Sequence, residues 1–182
     1  MKKNIVILLA DGFEEIEALA PADVLRRLGF QVVLAAIGGS PAAVGAHGIK
    51  VTADAQLADL PQDAFDAVIL PGGMPGSRNL RDSEAVLALV RSMDASGKVV
   101  AAICAAPIAL ARAGVLNGKK YTMYPGFEAE MPAAPTGSLV ERDGNLITGK
   151  GPGAAFAFAS AIAGAFGVDA RGLLHDGMFV QG

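Results

Sequence analysis

A doubly wound α/β fold, with a mostly parallel sheet and helices on both faces in a single domain (1–182), is predicted by three observations. Short uninterrupted apolar runs recur along the chain: NIVILLA, FQVVLAAIG, FDAVILPGG and VVAAIC. Such runs mark strands buried on both faces. Segments with helical apolar spacing and glycine stops separate them. The first 40 residues alone read β-α-β, the signature of a parallel sheet.

Each element has its own signal. NIVILLA (4–10) is the first strand. FEEIEALAPADVLRRLG (13–29) follows as a helix that Gly29 stops. FQVVLAAIG (30–38) is the second strand. Residues 41–63 are more polar and alternate, and AAVGAHGIKVTADAQL predicts a short hairpin or excursion. FDAVILPGG (65–73) is a strand that ends in Pro71-Gly72-Gly73. DSEAVLALVRSMDASGK (82–98) is an amphipathic helix with Asp82 as N-cap and Val86, Leu87, Leu89 and Val90 on its apolar face. VVAAIC (99–104) is a strand, APIALARAGV (106–115) a helix stopping near Gly114, and KKYTMYP (119–125) a further strand. SLVERDGNLITGK (138–150) reads as a hairpin around Asp143-Gly144. GPGAAFAFASAIAGAFG (151–167) is the last long helix, with Pro152 in its first turn.

Composition excludes several function classes. An apolar fraction of 52% argues against disorder. A net charge of −3 without a Lys/Arg cluster offers no stripe for a phosphate backbone, so no nucleic-acid partner is expected. GPGAAFAFASAIAGAFGV reaches membrane length, but its Ala, Gly and Pro content predicts a buried helix rather than a bilayer span. In MKKNIVILLADGFEE, two lysines precede six clearly apolar residues before Asp11, too short a run for a secretory leader. One cysteine makes no internal disulfide, which fits a reducing cytoplasm.

In open parallel sheets, sites form beyond the C-terminal strand ends. Three such ends carry chemistry here: Asp11–Glu17, Gly72–Ser77 and Cys104–Pro107. Cys104 falls at a strand-to-helix turn among the small residues Ala101, Ala102, Ala105 and Ala106, which suits a nucleophile elbow. A helix N-terminus beside it favours thiolate. The bland alternative is a buried, inert cysteine. At about 100° per residue, Glu17 shares the buried helix face of Phe13, Ile16, Ala20, Val24 and Leu28, while Glu14 and Glu15 fall off it. A carboxyl on that face is costly unless protonated or paired, so Glu17 is expected to hold a raised pKa and share a proton with Cys104. The N–H groups of Gly72 and Gly73, with that of Ala105, are placed to stabilise an oxyanion.

Together, LADGFEEIEALAPADVLRRLG, DAVILPGGMPGSRNL, AAICAAPIAL and LITGKGPGAAFAFA resemble the ThiJ/PfpI superfamily. The nearest branch is that of the Parkinson-disease-associated protein deglycase and its bacterial ThiJ/YajL-type relatives. The resemblance covers nearly the whole chain, in order. It implies a flavodoxin-like sandwich, a homodimer, a Cys104 nucleophile on a strained elbow, a protonated Glu17 bonded to its sulfur, and oxyanion donors at Gly73 and Ala105. It further implies glyoxalase III or deglycase chemistry on methylglyoxal, glyoxal or glycated amino groups, with no metal or organic cofactor, and a role in oxidative stress. Redox sensing or chaperoning is the alternative that the resemblance carries. Glu14, Gly72, Tyr124 and His47 are expected around the pocket, and Arg27 is expected to reach towards a partner's site. Two departures stand out. Tyr124 occupies the place where many members carry a histidine, and His47 the region where relatives often carry an arginine. With His175 in the tail, no histidine is evident for a Cys-His dyad, which leaves a small-amide hydrolase or peptidase least supported.

Overall fold

The computed structural model describes residues 2–181, one residue short of the expected domain bounds at either end. A seven-stranded sheet forms its centre. In chain order its strands are β1 (Asn4–Leu9), β2 (Gln31–Ala36), β5 (Ala55–Gln56), β6 (Ala67–Leu70), β7 (Val99–Ile103), β8 (Val140–Asp143) and β9 (Leu146–Gly149). A separate antiparallel hairpin comprises β3 (Ala42–Val44) and β4 (Lys50–Thr52). The sheet order is β5-β2-β1-β6-β7-β9-β8. All its pairs are parallel except the β8–β9 hairpin.

The central strands bury both faces because their apolar runs are continuous. Ile5, Ile7, Leu9 and Ile69 point to one side, under α1 (Glu15–Arg27) and α5 (Ala155–Ala165). Val6, Leu8, Val68 and Leu70 point to the other, under α2 (Gly76–Asp82), α3 (Glu84–Ala95) and α4 (Pro107–Ala113). The two-residue period of a strand thus fills two cores from one run. Strand order reverses between β1 and β6, the switch point where open sheets leave a crevice. Among the described residues, no helix is long and apolar enough to cross a membrane.

Several expectations are corrected. KKYTMYP is extended but belongs to no sheet. Its polar backbone groups find other partners: Thr122 N–H donates to the Thr148 hydroxyl, and Tyr124 N–H to the Cys104 carbonyl. Asp82 ends α2 instead of capping α3. Ser83 is the N-cap, accepting from Val86 N–H at 3.5 Å, while the Asp82 carboxylate pairs with Arg81. Ile16 is 52% exposed although it shares a predicted face with buried residues. The helical turn Gly76–Asp82 and the edge strand β5 carry too few residues to show a period.

The corrected cap is testable by urea unfolding. Ser83→Ala should lower stability by about 1 kcal/mol. Asp82→Ala should have the smaller effect, since its carboxylate caps nothing.

Candidate active site

The site is built where β1, β6 and β7 end. Strand β7 runs into Cys104, whose φ of 63° is left-handed. A non-glycine residue there costs on the order of 1–3 kcal/mol and persists only when neighbours fix it. Here both backbone groups are fixed: the Cys104 N–H donates to Gly149 O, and its carbonyl accepts from Tyr124 N–H, each at 2.9 Å. Pro107 then opens α4 with the preset φ that a first helical turn favours. The kink swings the sulfur off the sheet, half-buried, where the N–H groups of Ala105 and Gly73 act to lower the thiol pKa.

The loop after β6 supplies the other wall. Gly72 N–H donates to Glu17 Oε2 at 2.8 Å. A side chain at Gly72 would overlap both that carboxyl and the Cys104 Cβ. Gly73 has φ 87°, and a Cβ there would overlap the backbone of Gly12, Phe13 and Glu14. These glycines are therefore demanded by close approach and backbone sign, beyond merely turning the chain.

Glu17, in the first turn of α1, is fully buried. Burial raises its pKa to about 7, against the Gly72 N–H and the Cys104 side chain, with the Glu14 charge adding to the rise. Its second oxygen, Oε1, is buried with no hydrogen-bond partner. The Cys104 thiol is pushed up to about 12 by burial, by the Glu17 charge and by its bond to Glu17, against the Ala105 and Gly73 N–H groups. This corrects the expected thiolate. The reason is electrostatic: ionising the thiol beside an ionised carboxylate puts two like charges close together where water is partly excluded. The carboxyl therefore gives up its proton first, and its charge holds the thiol neutral.

Glu14 is mostly buried, and its backbone N–H donates to Gly72 O at 2.9 Å. Sequence reasoning missed its neighbour Glu15. That residue is only 5% exposed and holds the β3–β4 turn, accepting from His47 N–H at 2.9 Å and Ile49 N–H at 3.3 Å. Burial raises its pKa, but these bonds and that of the His47 ring outweigh it, and the net shift is downward. The turn's need for an acceptor exists only once the hairpin is folded over α1, so no spacing announces it. His47 Nδ1 lies 2.8 Å from Glu15 Oε2 and 3.6 Å from Glu14 Oε2. Its pKa is raised by the Glu15 bond and then by the Glu14 charge. One ligand atom from each of these three lies within 4.8 Å of the others, a spacing that could hold a cation. Glu15 is already engaged by the loop.

Tyr124 sits beside the elbow with its ring over Gly151, 48% exposed. Arg27 is not brought to the site of its own chain. It lies ten residues beyond Glu17, about 15 Å along the helix, and pairs with Asp23 at 3.0 Å. A helix following a strand runs back towards the opposite sheet edge, and its last turn goes with it. His175 is exposed in the C-terminal segment and pairs with Asp176.

Residues 3–165 match the DJ-1/PfpI family. The protein dj-1beta of Drosophila melanogaster is 42% identical over 166 residues, covering 90% of this chain and 89% of that one. The crystal structure of Drosophila melanogaster DJ-1beta superposes over the whole of both chains with a TM-score of 0.93 at 38% identity. A protein named deglycase from Pyrococcus abyssi is 35% identical over 158 residues, 85% of this chain and 94% of its own. Oxidized Toxoplasma gondii DJ-1 superposes with a TM-score of 0.92 at 31% identity, over 98% of this chain and 100% of that one. These likenesses establish the flavodoxin-like, mostly parallel fold. The family match spans most of the length, and its relatives are similar along most of theirs; this chain belongs to the DJ-1/PfpI family.

Proposed function

We propose that the chain is a cofactor-independent enzyme of the glyoxalase III or protein deglycase type, with Cys104 as nucleophile. Its substrates are methylglyoxal, glyoxal or their adducts on amino groups, and it acts in the cytoplasm as a homodimer, protecting against oxidative and carbonyl stress. The observation that carries this reading is the convergence on one sulfur of the Gly73 and Ala105 N–H groups and the buried Glu17 carboxyl. The deglycase name of a relative similar over nearly all its length supports it further.

The steps balance without a redox partner. Glu17 takes the thiol proton as sulfur attacks the aldehyde carbon, and the C–S bond forms. The carbonyl oxygen gains negative charge between the two backbone N–H groups and takes that proton back from Glu17, which gives a hemithioacetal and leaves Glu17 ionised again. Glu17 then removes the proton from that carbon and an enediol forms. Returning a proton to the neighbouring carbon leaves a thioester: one carbon is oxidised as its neighbour is reduced. Water cleaves the C–S bond, releasing lactate and restoring the thiol. A carboxyl near pKa 7 can serve as base and acid in turn.

One observation favours a second reading, a redox-sensing cysteine protein or chaperone: a relative of the same fold has been crystallised in an oxidized form. The donors that hold an oxyanion would also hold a sulfinate. Mass spectrometry after mild peroxide, beside a methylglyoxal assay, separates the two. Two added oxygens on Cys104 without glyoxal turnover select the sensor.

Three outcomes are expected of the enzyme. Cys104→Ala should abolish lactate formation, and retained formation overturns the scheme. In wild type, kcat/KM should rise with pH through a midpoint near 7, as Glu17 ionises to accept the thiol proton. Glu17→Gln should lower kcat about 10²- to 10⁴-fold and remove that limb. Stability should move oppositely to activity. The folded pKa of about 7 lies above the ordinary 4.5, so the fold binds this proton more tightly than the unfolded chain does. Its contribution is complete below pH 4.5 and is lost as pH rises through 7, about 3 kcal/mol in all. Unfolding at pH 5 and pH 8 should show Glu17→Gln losing less stability over that interval than wild type.

A further inference from the structure

A second cluster of titratable groups lies at the start of α1, under the β3–β4 turn, and takes no part in the steps above. Glu14, Glu15 and His47 each offer one ligand atom there, all within 4.8 Å of one another. His47 Nδ1 is 2.8 Å from Glu15 Oε2 and 3.6 Å from Glu14 Oε2. Ligands about 2.1 Å from one metal ion stand roughly 3.0 Å apart at a right angle and roughly 3.4 Å apart in a tetrahedron, and the two observed distances bracket those values. The cluster is built in advance. The two backbone bonds to Glu15 fall on Oε1, which leaves Oε2 facing the imidazole. Gly45 admits that carboxyl under the turn, since an added Cβ would overlap it. Ala46 N–H donates to Phe13 O at 2.8 Å and Glu14 N–H to Gly72 O, so both backbones are held independently of the side chains.

The charges are left unbalanced. The Glu14 and Glu15 side chains are only 13% and 6% exposed, yet among the described residues neither carboxylate pairs with a lysine or arginine, and the exposed imidazole is their one basic partner. Two carboxylates against one imidazole leave negative charge that burial makes costly. Carboxylate and imidazole donors together suit zinc, cobalt or nickel, whereas calcium and magnesium take oxygen alone. We propose that His47 Nδ1 and one carboxylate oxygen each of Glu14 and Glu15 bind a divalent transition-metal ion, with zinc as the reference case, and that the ion clamps the β3–β4 turn to α1. On binding, the ion takes the Nδ1 lone pair, the proton there passes to buffer, and the ring keeps its proton on Nε2. Water completes the coordination on the exposed side. The ion serves the turn and not the chemistry at sulfur, so nothing in its binding depends on whether the elbow turns over glyoxals.

Cobalt(II), which absorbs where zinc is silent, is titrated into the purified chain, and zinc(II) is then added to displace it. The expected result is one equivalent bound, with d–d bands but no sulfur-to-metal charge-transfer band, the same in Cys104→Ser, and displaced by zinc. His47→Ala and Glu14→Gln should each weaken binding at least about tenfold. His47→Arg keeps a cation beside both carboxylates but has no lone pair to give, and should abolish binding. Zinc in saturating excess should raise the Tm of wild type and leave that of His47→Arg unchanged. Binding that survives His47→Arg overturns the site, as does equal uptake of magnesium, which marks bare carboxylates without an imidazole ligand. A charge-transfer band that disappears in Cys104→Ser moves the ion to the elbow thiol and overturns the site as well. So does a folded wild-type chain that takes up no cobalt at millimolar concentration.

Discussion

A buried Glu17 carboxyl whose charge holds the Cys104 thiol neutral is the interaction from which the rest of the site follows. Each alone would be an ordinary buried group, costly when charged and inert when neutral. Side by side, the charge of one sets the proton affinity of the other. The arrangement depends on what is missing between them. Gly72 contributes only backbone, and any side chain there would overlap the Glu17 carboxyl and the Cys104 Cβ. The same residue's N–H then fixes the carboxyl by one oxygen and leaves the other buried without a partner.

Holding that geometry is the task of the sheet. A left-handed cysteine relaxes unless something stiffer pins it, and β7 lies between β6 and β9 with bonds on both sides. The strain at Cys104 is thus offset by a ladder whose residues are almost all fully buried. The carboxyl arrives from a different crossover, at the start of α1, one N–H donor from the loop after β6 at Gly73, and the other from Ala105 beside the cysteine itself. Three pieces distant in sequence meet because each follows, or opens beside, the C-terminal edge of the same sheet.

That logic explains what could be read beforehand. Cys104, Glu17, Gly72 and Gly73 were legible because strand ends are marked by where apolar runs stop, and because a charge on a buried helix face contradicts its own period. What escaped reading depends on partners chosen only in three dimensions. Thr122 and Tyr124 look like a strand, yet their N–H groups are taken by a hydroxyl and by the elbow. Glu15 lies off the predicted buried face but is covered by a hairpin whose turn it holds. Ile16 keeps to the period yet stays exposed, while Glu15 and Glu17 on either side of it are buried. The thiol's ionisation was misjudged for a related reason. The N–H groups of Ala105 and Gly73 favour the thiolate, and these are outweighed by desolvation and a neighbouring carboxylate.

The proton arithmetic also bears on which chemistry this pocket suits. Amide cleavage asks for a base at the nucleophile and an acid at a leaving nitrogen on the far side of the carbonyl, usually one mobile imidazole serving both. Here the candidate imidazole, His47, is hydrogen-bonded to a buried carboxylate on the hairpin, and the elbow's lateral neighbour is a phenol. Glu17 is short, pinned by Gly72, and confined to one face of the sulfur. Such a group cannot follow a proton across a scissile bond. It can move one between two adjacent carbons of a molecule anchored on that sulfur, since both lie within reach of the same oxygen. A fixed carboxyl of near-neutral pKa fits the proton shuttle proposed above better than amide cleavage, and the residue beside the elbow is Tyr124 rather than an imidazole.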